Sequence, residues 1–428
     1  MSALSPPRRS AAALRVALDA TPLIGRRTGV GEFVAGALCA LTKEAPRRNM
    51  WLGAYAVTLR GRGSLDAHLP PGVNAIAGLM PARPLHAAWR AAGLPRIEHW
   101  TGPLDVVHGT NYVVPPARRA ARVVSVHDMA VVRFPELCDP ATLVFAKLVR
   151  RALRGGAWVQ TPSKAVAEEV IDVFSADPGM VRVVPYGVPT ERSDAAESAG
   201  EAGLSHESRE PGTPHEPGKP HEPGKPHEPG TTSALGDLLP AGTSRYVLAL
   251  GRVEPRKDLT TLVSAFGAIA AARSGTALVV AGPDGWGTEA FEQARRGSAC
   301  PERIVRVSSV SDELRELLLA NASAFAYPSI YEGFGFPPLE AMATGVPVVA
   351  TDTGSLPEVL GDAALLVPTR DKHALAEALA AILDDTKLAD NLAQRGRERA
   401  SLFTWQACAA GLADLYQDAS AAMGGTRP

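Results

Sequence analysis

The sequence predicts an α/β protein of two doubly wound domains facing a cleft, and three observations carry that expectation. Short apolar runs rich in Val, Ile and Leu recur along the chain with little polar alternation, the pattern of parallel strands covered on both faces. Longer amphipathic stretches separate them, and the runs end in the Gly, His, Asp or Asn residues of strand-to-helix loops. A block near the middle breaks the pattern in composition, so the runs fall into two sets.

At 428 residues and 44.8 kDa the chain is too long for one ordinary core and suits two domains plus connections. Hydrophobic residues make up 46% and charged residues 21%, the balance of a folded globular protein. The first set of runs is LRVALDA, DVVHGT, RVVSVHD and VRVVPYG, which places one domain over residues 1–190. Residues 191–244 follow as a disordered linker rich in Pro, Gly and His; its repeat PHEPGKPHEPGKPHEPG has almost no apolar residue to bury. His215, His221 and His227 recur there with no fixed geometry, as in a spacer, not a metal site. The second set, RYVLALGRV, TALVVAGPD, RIVRVSSV, ASAFAYPS and VPVVATD, marks a domain over 245–404. Residues 405–428 are expected to form a helix and tail that pack back on the first domain. Open parallel sheets bind ligands beyond the carboxyl ends of their strands, so a site should draw on both domains across the cleft.

No window approaches the 18 apolar residues of a membrane span, and the start of the chain runs into a strand pattern with no signal-peptide core. A cytoplasmic location is the expectation. Cys39, Cys138, Cys300 and Cys408 are scattered without a CxxC pair and read as reduced thiols. The net charge of −1 conceals an asymmetry: residues 1–190 hold 23 Lys and Arg against 13 Asp and Glu, a balance of +10, which leaves −11 for the remainder. A basic half suits an anionic membrane surface, a phosphorylated substrate or nucleic acid, or simply a solvated Arg-rich surface.

The richest motif is EGFGFPPLEAMATGVPVV, Glu332 to Val349. It follows a strand pattern, and Pro337 and Pro338 suit the first turn of a helix that stops at Gly345. Gly333 and Gly335 allow backbone N–H groups close to an anion, and a helix N-terminus adds positive potential, so the loop suits a diphosphate. Glu332 in the loop and Glu340 in the first helical turn could accept from hydroxyl pairs at two heights. Taken singly, Glu340 could merely favour the helix dipole and Glu332 could be an exposed loop residue.

The whole string resembles the signature of the retaining glycosyltransferases of family four, whose pattern is two glutamates separated by seven residues. The likeness extends to GSLPEVLGDAALLVP downstream, GRVEPRKDL upstream, and DATPLIGRRTGVGEF and SVHDMAVVRFPEL in the first domain. It covers nearly the whole chain outside the linker. The resemblance implies the GT-B fold, two Rossmann-like domains facing a cleft. It further implies that Glu332 approaches the donor sugar hydroxyls, Glu340 holds the ribose diol, and Gly333, Phe334 and Gly335 face sugar and phosphate. Arg252 and Lys257 match the cationic pair that grips the diphosphate; fixed cations there would stabilise the charge gained by the departing nucleotide. Gly29 and Gly31 match a loop that brings backbone close to the donor phosphates, with Glu32 where many relatives have Arg. His127 matches a histidine at the reacting face. Glu332, His127, Arg252 and Lys257 are thus the implied catalytic set.

The chain contains no DxD, the acidic pair that holds a divalent cation against a diphosphate, and neither a metal nor another cofactor is expected. The implied reaction is transfer of a hexosyl group, mannosyl or a deoxyhexosyl, from a nucleotide-sugar donor to a saccharide or lipid-linked acceptor in surface polysaccharide or glycolipid synthesis. Retention would follow from attack on the face the nucleotide leaves, with the acceptor proton passing to the leaving phosphate. For the basic domain the resemblance favours docking on an anionic membrane surface, peripheral on the inner face of the cell membrane, and no nucleic acid. Two other readings stay open at this point: a nucleotide-sugar epimerase of the same architecture, and a catalytically silent binding protein.

Overall fold

A computed structural model describes residues 13–25, 28–59, 65–76, 78, 80–188 and 235–425. The first sheet comprises β1 (Leu14–Asp19), β2 (Met50–Tyr55), β3 (Asn74–Ala75), β4 (Val106–Gly109), β5 (Ala121–Ser125), β6 (Trp158–Thr161) and β7 (Val181–Val183). Its strand order is β3-β2-β1-β4-β5-β6-β7, parallel at every pairing. The second comprises β8 (Arg245–Leu250), β9 (Thr276–Ala281), β10 (Ile304–Val307), β11 (Ala324–Tyr327), β12 (Val348–Thr351) and β13 (Ala364–Val367). Its order is β10-β9-β8-β11-β12-β13, again all parallel. Both sheets are doubly wound, each reversing direction at its first strand, between β1 and β4 and between β8 and β11.

The continuous apolar runs have the burial that such a sheet requires. Every residue of β9 and of β11 is buried, since helices cover both faces. The helix Leu259–Ala270 fills one face with Leu262, Ala265 and Phe266, none of them exposed. β2, β3, β6 and β13 complete the sheets; two-residue β3 and the polar-ended β6 lack the long apolar run that marks the others.

The linker repeat, with His215, His221 and His227, lies outside the described residues. The stretch expected to continue as linker to residue 244 has a helical turn over 235–238, and Leu235, Leu238 and Leu239 pack on the core. Apolar residues at this spacing bury one face of the turn.

The helix Trp405–Gly425 crosses to the first domain. Its Tyr416 is fully buried and meets His108 Nδ1 at 2.7 Å, while His108 Nε2 meets Ser125 Oγ at 2.8 Å. Arg48 donates to Asp414 and Gln417 at 2.8 and 3.0 Å. At Gly36, on the helix Gly29–Glu44, a β-carbon would fall 2.2 Å from the Trp405 ring, so the two helices pack as closely as a glycine permits. No helix among the described residues is long and apolar enough to cross a membrane.

Candidate functional site

β8 and β11 are neighbours in the sheet but far apart in sequence, and the loops after them diverge at the point where strand order reverses. A recess opens there, lined by Gly251, Arg252, Lys257, Tyr327 and Ser329. Two glycines at the strand ends make it possible. Gly251 and Gly282 have φ of +145° and +137°, and a β-carbon on Gly282 would lie 2.2 Å from the Gly251 carbonyl oxygen.

Glu332 leaves the loop after β11 and turns inward; it is 6% exposed, which removes the exposed-loop reading of this residue. Its Oε1 lies 2.6 Å from Lys257 Nζ and its Oε2 2.9 Å from Arg256 Nη1. Burial would raise this carboxyl, but the two cations outweigh it and hold the group at about 2. Burial likewise works against the charge of Arg256, and Glu332 reverses that, holding the guanidinium well above its ordinary value. Arg256 also donates to Glu254 at 2.9 Å and to the Tyr331 carbonyl at 2.7 Å. Lys257 Nζ donates to Tyr327 Oη at 2.6 Å and lies 4.6 Å from the centre of that ring. The result is a buried carboxylate kept ionised, with its charge balanced in place.

After Glu332 the chain makes the tight passage the glycines imply. Gly335 has φ +99° and caps the helix Phe336–Ala343; a β-carbon there would lie 2.8 Å from Leu356 Cδ2. Pro337 stands in the first turn, where its missing N–H costs nothing. Glu340 falls just past that turn, not within it as the sequence suggested, because the helix already begins at Phe336. Its carboxylate pairs with Arg315, from the helix Asp312–Ala320. The pairing gives Glu340 a fixed direction that a dipole-compensating surface glutamate would not need.

Across the cleft, Gly29 and Gly31 sit in the opening turn of the helix Gly29–Glu44. A β-carbon on Gly29 would meet Phe336 Cδ2 at 3.7 Å, so this loop faces the signature helix directly. His127, just beyond β5, is 9% exposed. Its Nε2 lies 2.7 Å from the Thr110 carbonyl oxygen and its Nδ1 2.5 Å from Tyr186 Oη. A carbonyl only accepts, so Nε2 carries the proton and donates, and Nδ1 accepts a hydrogen bond from the Tyr186 hydroxyl. Burial then pushes His127 down to about 4, and the ring is neutral at pH 7. Both ring nitrogens are thus committed to hydrogen bonds within the first domain.

The loops touch. A β-carbon on Gly333 would fall 1.8 Å from the His127 carbonyl oxygen, and Ser163 Oγ donates to the Gly333 carbonyl at 3.0 Å. Phe334 is buried between the domains, 4.9 Å from the Tyr186 ring and 5.7 Å from Phe403.

Arg252 and Lys257 therefore line one recess, Glu332 is tied to it through Lys257, Glu340 stands on the helix that follows, and Gly29, with Gly31 in the same turn, and His127 approach Phe336 and Gly333 from the other domain. Arg252 is exposed, with its side chain along Gly285. Sequence reasoning missed Arg256 and Arg315. Both partner the signature glutamates; the signal for Arg256 was its place beside Lys257 in PRK, which does not say that both cations reach Glu332, and Arg315 had none.

Comparison with known proteins agrees with this geometry. Residues 235–399 match the family model "Glycosyl transferases group 1", and residues 42–192 match "Glycosyltransferase Family 4". The O-antigen chain mannosyltransferase B of Escherichia coli is 35% identical over 173 residues, 40% of this chain and 45% of that protein. The MMP alpha-(1->4)-mannosyltransferase of Mycolicibacterium hassiacum is 28% identical over 281 residues, 65% of this chain and 58% of that one. The chain thus spans about half the length of these two relatives. Among solved structures, HepE of Anabaena in complex with UDP and glucose superposes with a TM-score of 0.66 at 17% identity, covering 95% of this chain and 100% of that one.

Proposed function

This chain belongs to the glycosyl transferases of group 1 and carries their GT-B fold, and from that premise we propose that it moves a hexosyl group, mannosyl or a deoxyhexosyl, from a nucleotide sugar to a saccharide or lipid-linked acceptor. The observation that carries the reading is Glu332, buried and held ionised between Lys257 and Arg256 where the strand order reverses. An ionised carboxylate with no proton to give is an acceptor for sugar hydroxyls and fixes the ring. Glu340, oriented by Arg315, accepts from the ribose hydroxyls in the same way.

In this reading the bond from the anomeric carbon to the diphosphate oxygen breaks, and that carbon bonds to the acceptor oxygen on the same face. The acceptor proton passes to the leaving phosphate oxygen, so configuration is retained without a protein base. Arg252 and Lys257 stabilise the charge on the departing nucleoside diphosphate, a task otherwise given to a metal ion, and the reaction proceeds without one. Gly29, Gly31, Gly333 and Gly335 keep side chains away from the phosphates. His127, neutral and tethered, sets the position of its own carbonyl against Gly333.

For the acceptor, the helix Phe145–Arg154 supports an anionic partner surface. Lys147, Arg150, Arg151 and Arg154 are exposed on it, while Leu148, Val149 and Ala152 are buried. We propose that this face rests on anionic lipid at the cytoplasmic side of a membrane. Co-sedimentation with phosphatidylglycerol vesicles that weakens with salt supports it; equal binding to neutral vesicles overturns it.

A thermal-shift screen of nucleotide sugars tests the donor reading. A ligand at 100 times its dissociation constant raises stability by about 2.7 kcal/mol. A nucleotide sugar converted to its epimer without acceptor would instead favour an epimerase, and binding without any turnover would favour a silent binding protein.

A further inference from the structure

One contact between the domains lies outside the donor site. Glu358, on the second domain, places its Oε1 2.9 Å from the backbone nitrogen of Lys164 and its Oε2 3.0 Å from that of Ala165. Those amides open the helix Lys164–Phe174 of the first domain, whose N-cap is Ser163. The first N–H groups of a helix have no partner within it, and the positive end of the helix favours a carboxylate. Glu358 thus supplies across the cleft what a capping side chain normally supplies within its own chain segment.

The segment that carries Glu358 also grips the donor site. Two donors from one residue, Ser355 N at 2.9 Å and Ser355 Oγ at 3.0 Å, reach the Glu332 carbonyl. A β-carbon on Gly354 would fall 2.3 Å from that same oxygen. Behind it, Arg399 Nε donates to the Val359 carbonyl at 2.8 Å and Arg399 also reaches the Glu358 carbonyl at 2.5 Å. Leu356, Val359 and Leu360 are buried, so the short helix Leu356–Leu360 moves as one piece with its glutamate. A second tie runs in parallel: Ser163 Oγ donates to Gly333 while accepting from Val166 N at 3.3 Å.

We propose that Glu358 is a positioning residue that couples closure of the two domains to the placement of Glu332. Its carboxylate docks on the helix start of the first domain only when the cleft is shut, and the Ser355 contacts pass that position to the Glu332 backbone. Loss of the contact is expected to loosen the placement of Glu332 while leaving the recess of the second domain intact. The inference rests on the glycosyl-transfer reading for its effect on turnover, and on the contacts alone for its effect on domain closure.

The test uses the full chain in four forms: wild type, Glu358→Ala, Glu358→Gln and Lys164→Pro. The last removes one of the two amide donors at the first helical position, which proline tolerates, and leaves Glu358 untouched. Small-angle scattering reads closure, calorimetry with UDP and GDP reads nucleotide binding, and initial rates read transfer. The expected result is a larger radius of gyration for Glu358→Ala, a kcat lowered roughly tenfold, and a nucleotide dissociation constant within twofold of wild type. Lys164→Pro should show the same pattern to a smaller extent, and Glu358→Gln, which retains one accepting oxygen, should recover part of kcat. Unchanged scattering and unchanged kcat in Glu358→Ala and Lys164→Pro overturn the proposal. A wild type that binds neither nucleotide contradicts the functional reading, and the scattering comparison still decides whether Glu358 holds the domains together.

Discussion

Gly333 lies so close to His127 that a β-carbon on the glycine would stand 1.8 Å from the histidine's carbonyl oxygen, a separation no two unbonded atoms tolerate. The neighbour is backbone tied at both ends of its side chain, so it cannot yield. Gly333→Ala is therefore expected to force the domains apart, with transfer falling at least about tenfold while each domain stays folded. Far-ultraviolet circular dichroism with initial rates checks this; a fully active Gly333→Ala would show that the loops separate during turnover.

Arg256 is expected to matter more for folding than for the reaction. Replacing it with Met leaves the buried Glu332 with Lys257 alone, and removing one partner of a buried ion pair costs about 3–5 kcal/mol. A double variant with Glu332→Gln should recover part of that loss, because the buried carboxylate is gone while Lys257 keeps its hydrogen bond to Tyr327. Denaturant midpoints of the single and double variants read the difference, and equal midpoints for both would show that the pair contributes little.

How much of this was legible in the sequence follows from what each feature depends on. The two sheets were, because strands covered on both faces must be apolar throughout, as in TALVVAGPD, and because a Pro/Gly/His repeat separates them. Short β3 and β6 were not, since two to four residues with polar ends carry no period. The motif placed Glu332 and Lys257 in one site, but not Arg256, because it is the 3-10 turn Pro255–Lys257 and the left-handed Asp258 after it that bring both adjacent cations onto Glu332. His127 was expected, from the resemblance, at the reacting face. Its hydrogen bonds to Thr110 and Tyr186 were not legible, since only the fold brings those residues to it.

Two buried histidines give stability a definite pH dependence. His127 and His108 are pushed by burial to about 4 and about 3, below the ordinary 6.5. As pH falls below 6.5 the unfolded chain binds protons that the folded one refuses, so stability is complete above 6.5 and is lost progressively toward pH 4. For His127 the loss by pH 4 is up to roughly 3 kcal/mol. Thermal midpoints of wild type and His127→Gln between pH 7.5 and 4.5 should converge on acidification; parallel curves would mean that His127 is protonated in the folded state.

The C-terminal helix is expected to hold the first domain through Tyr416. Tyr416→Phe keeps the ring and leaves the buried His108 Nδ1 without its 2.7 Å partner, at a cost of about 1–3 kcal/mol. Urea midpoints measure it. No change would show that the hydroxyl adds nothing beyond the packing of the ring.

The central claim is that Glu332 and Lys257 hold a nucleotide sugar for transfer. Its most direct test is release of nucleoside diphosphate from a panel of hexose nucleotides with saccharide acceptors, in the presence of EDTA, for wild type, Glu332→Ala and Lys257→Ala. The account predicts turnover of at least one donor by wild type, a product with the donor's anomeric configuration, and a loss of at least about a hundredfold in each variant. Turnover that survives both substitutions, or that EDTA abolishes, would contradict it.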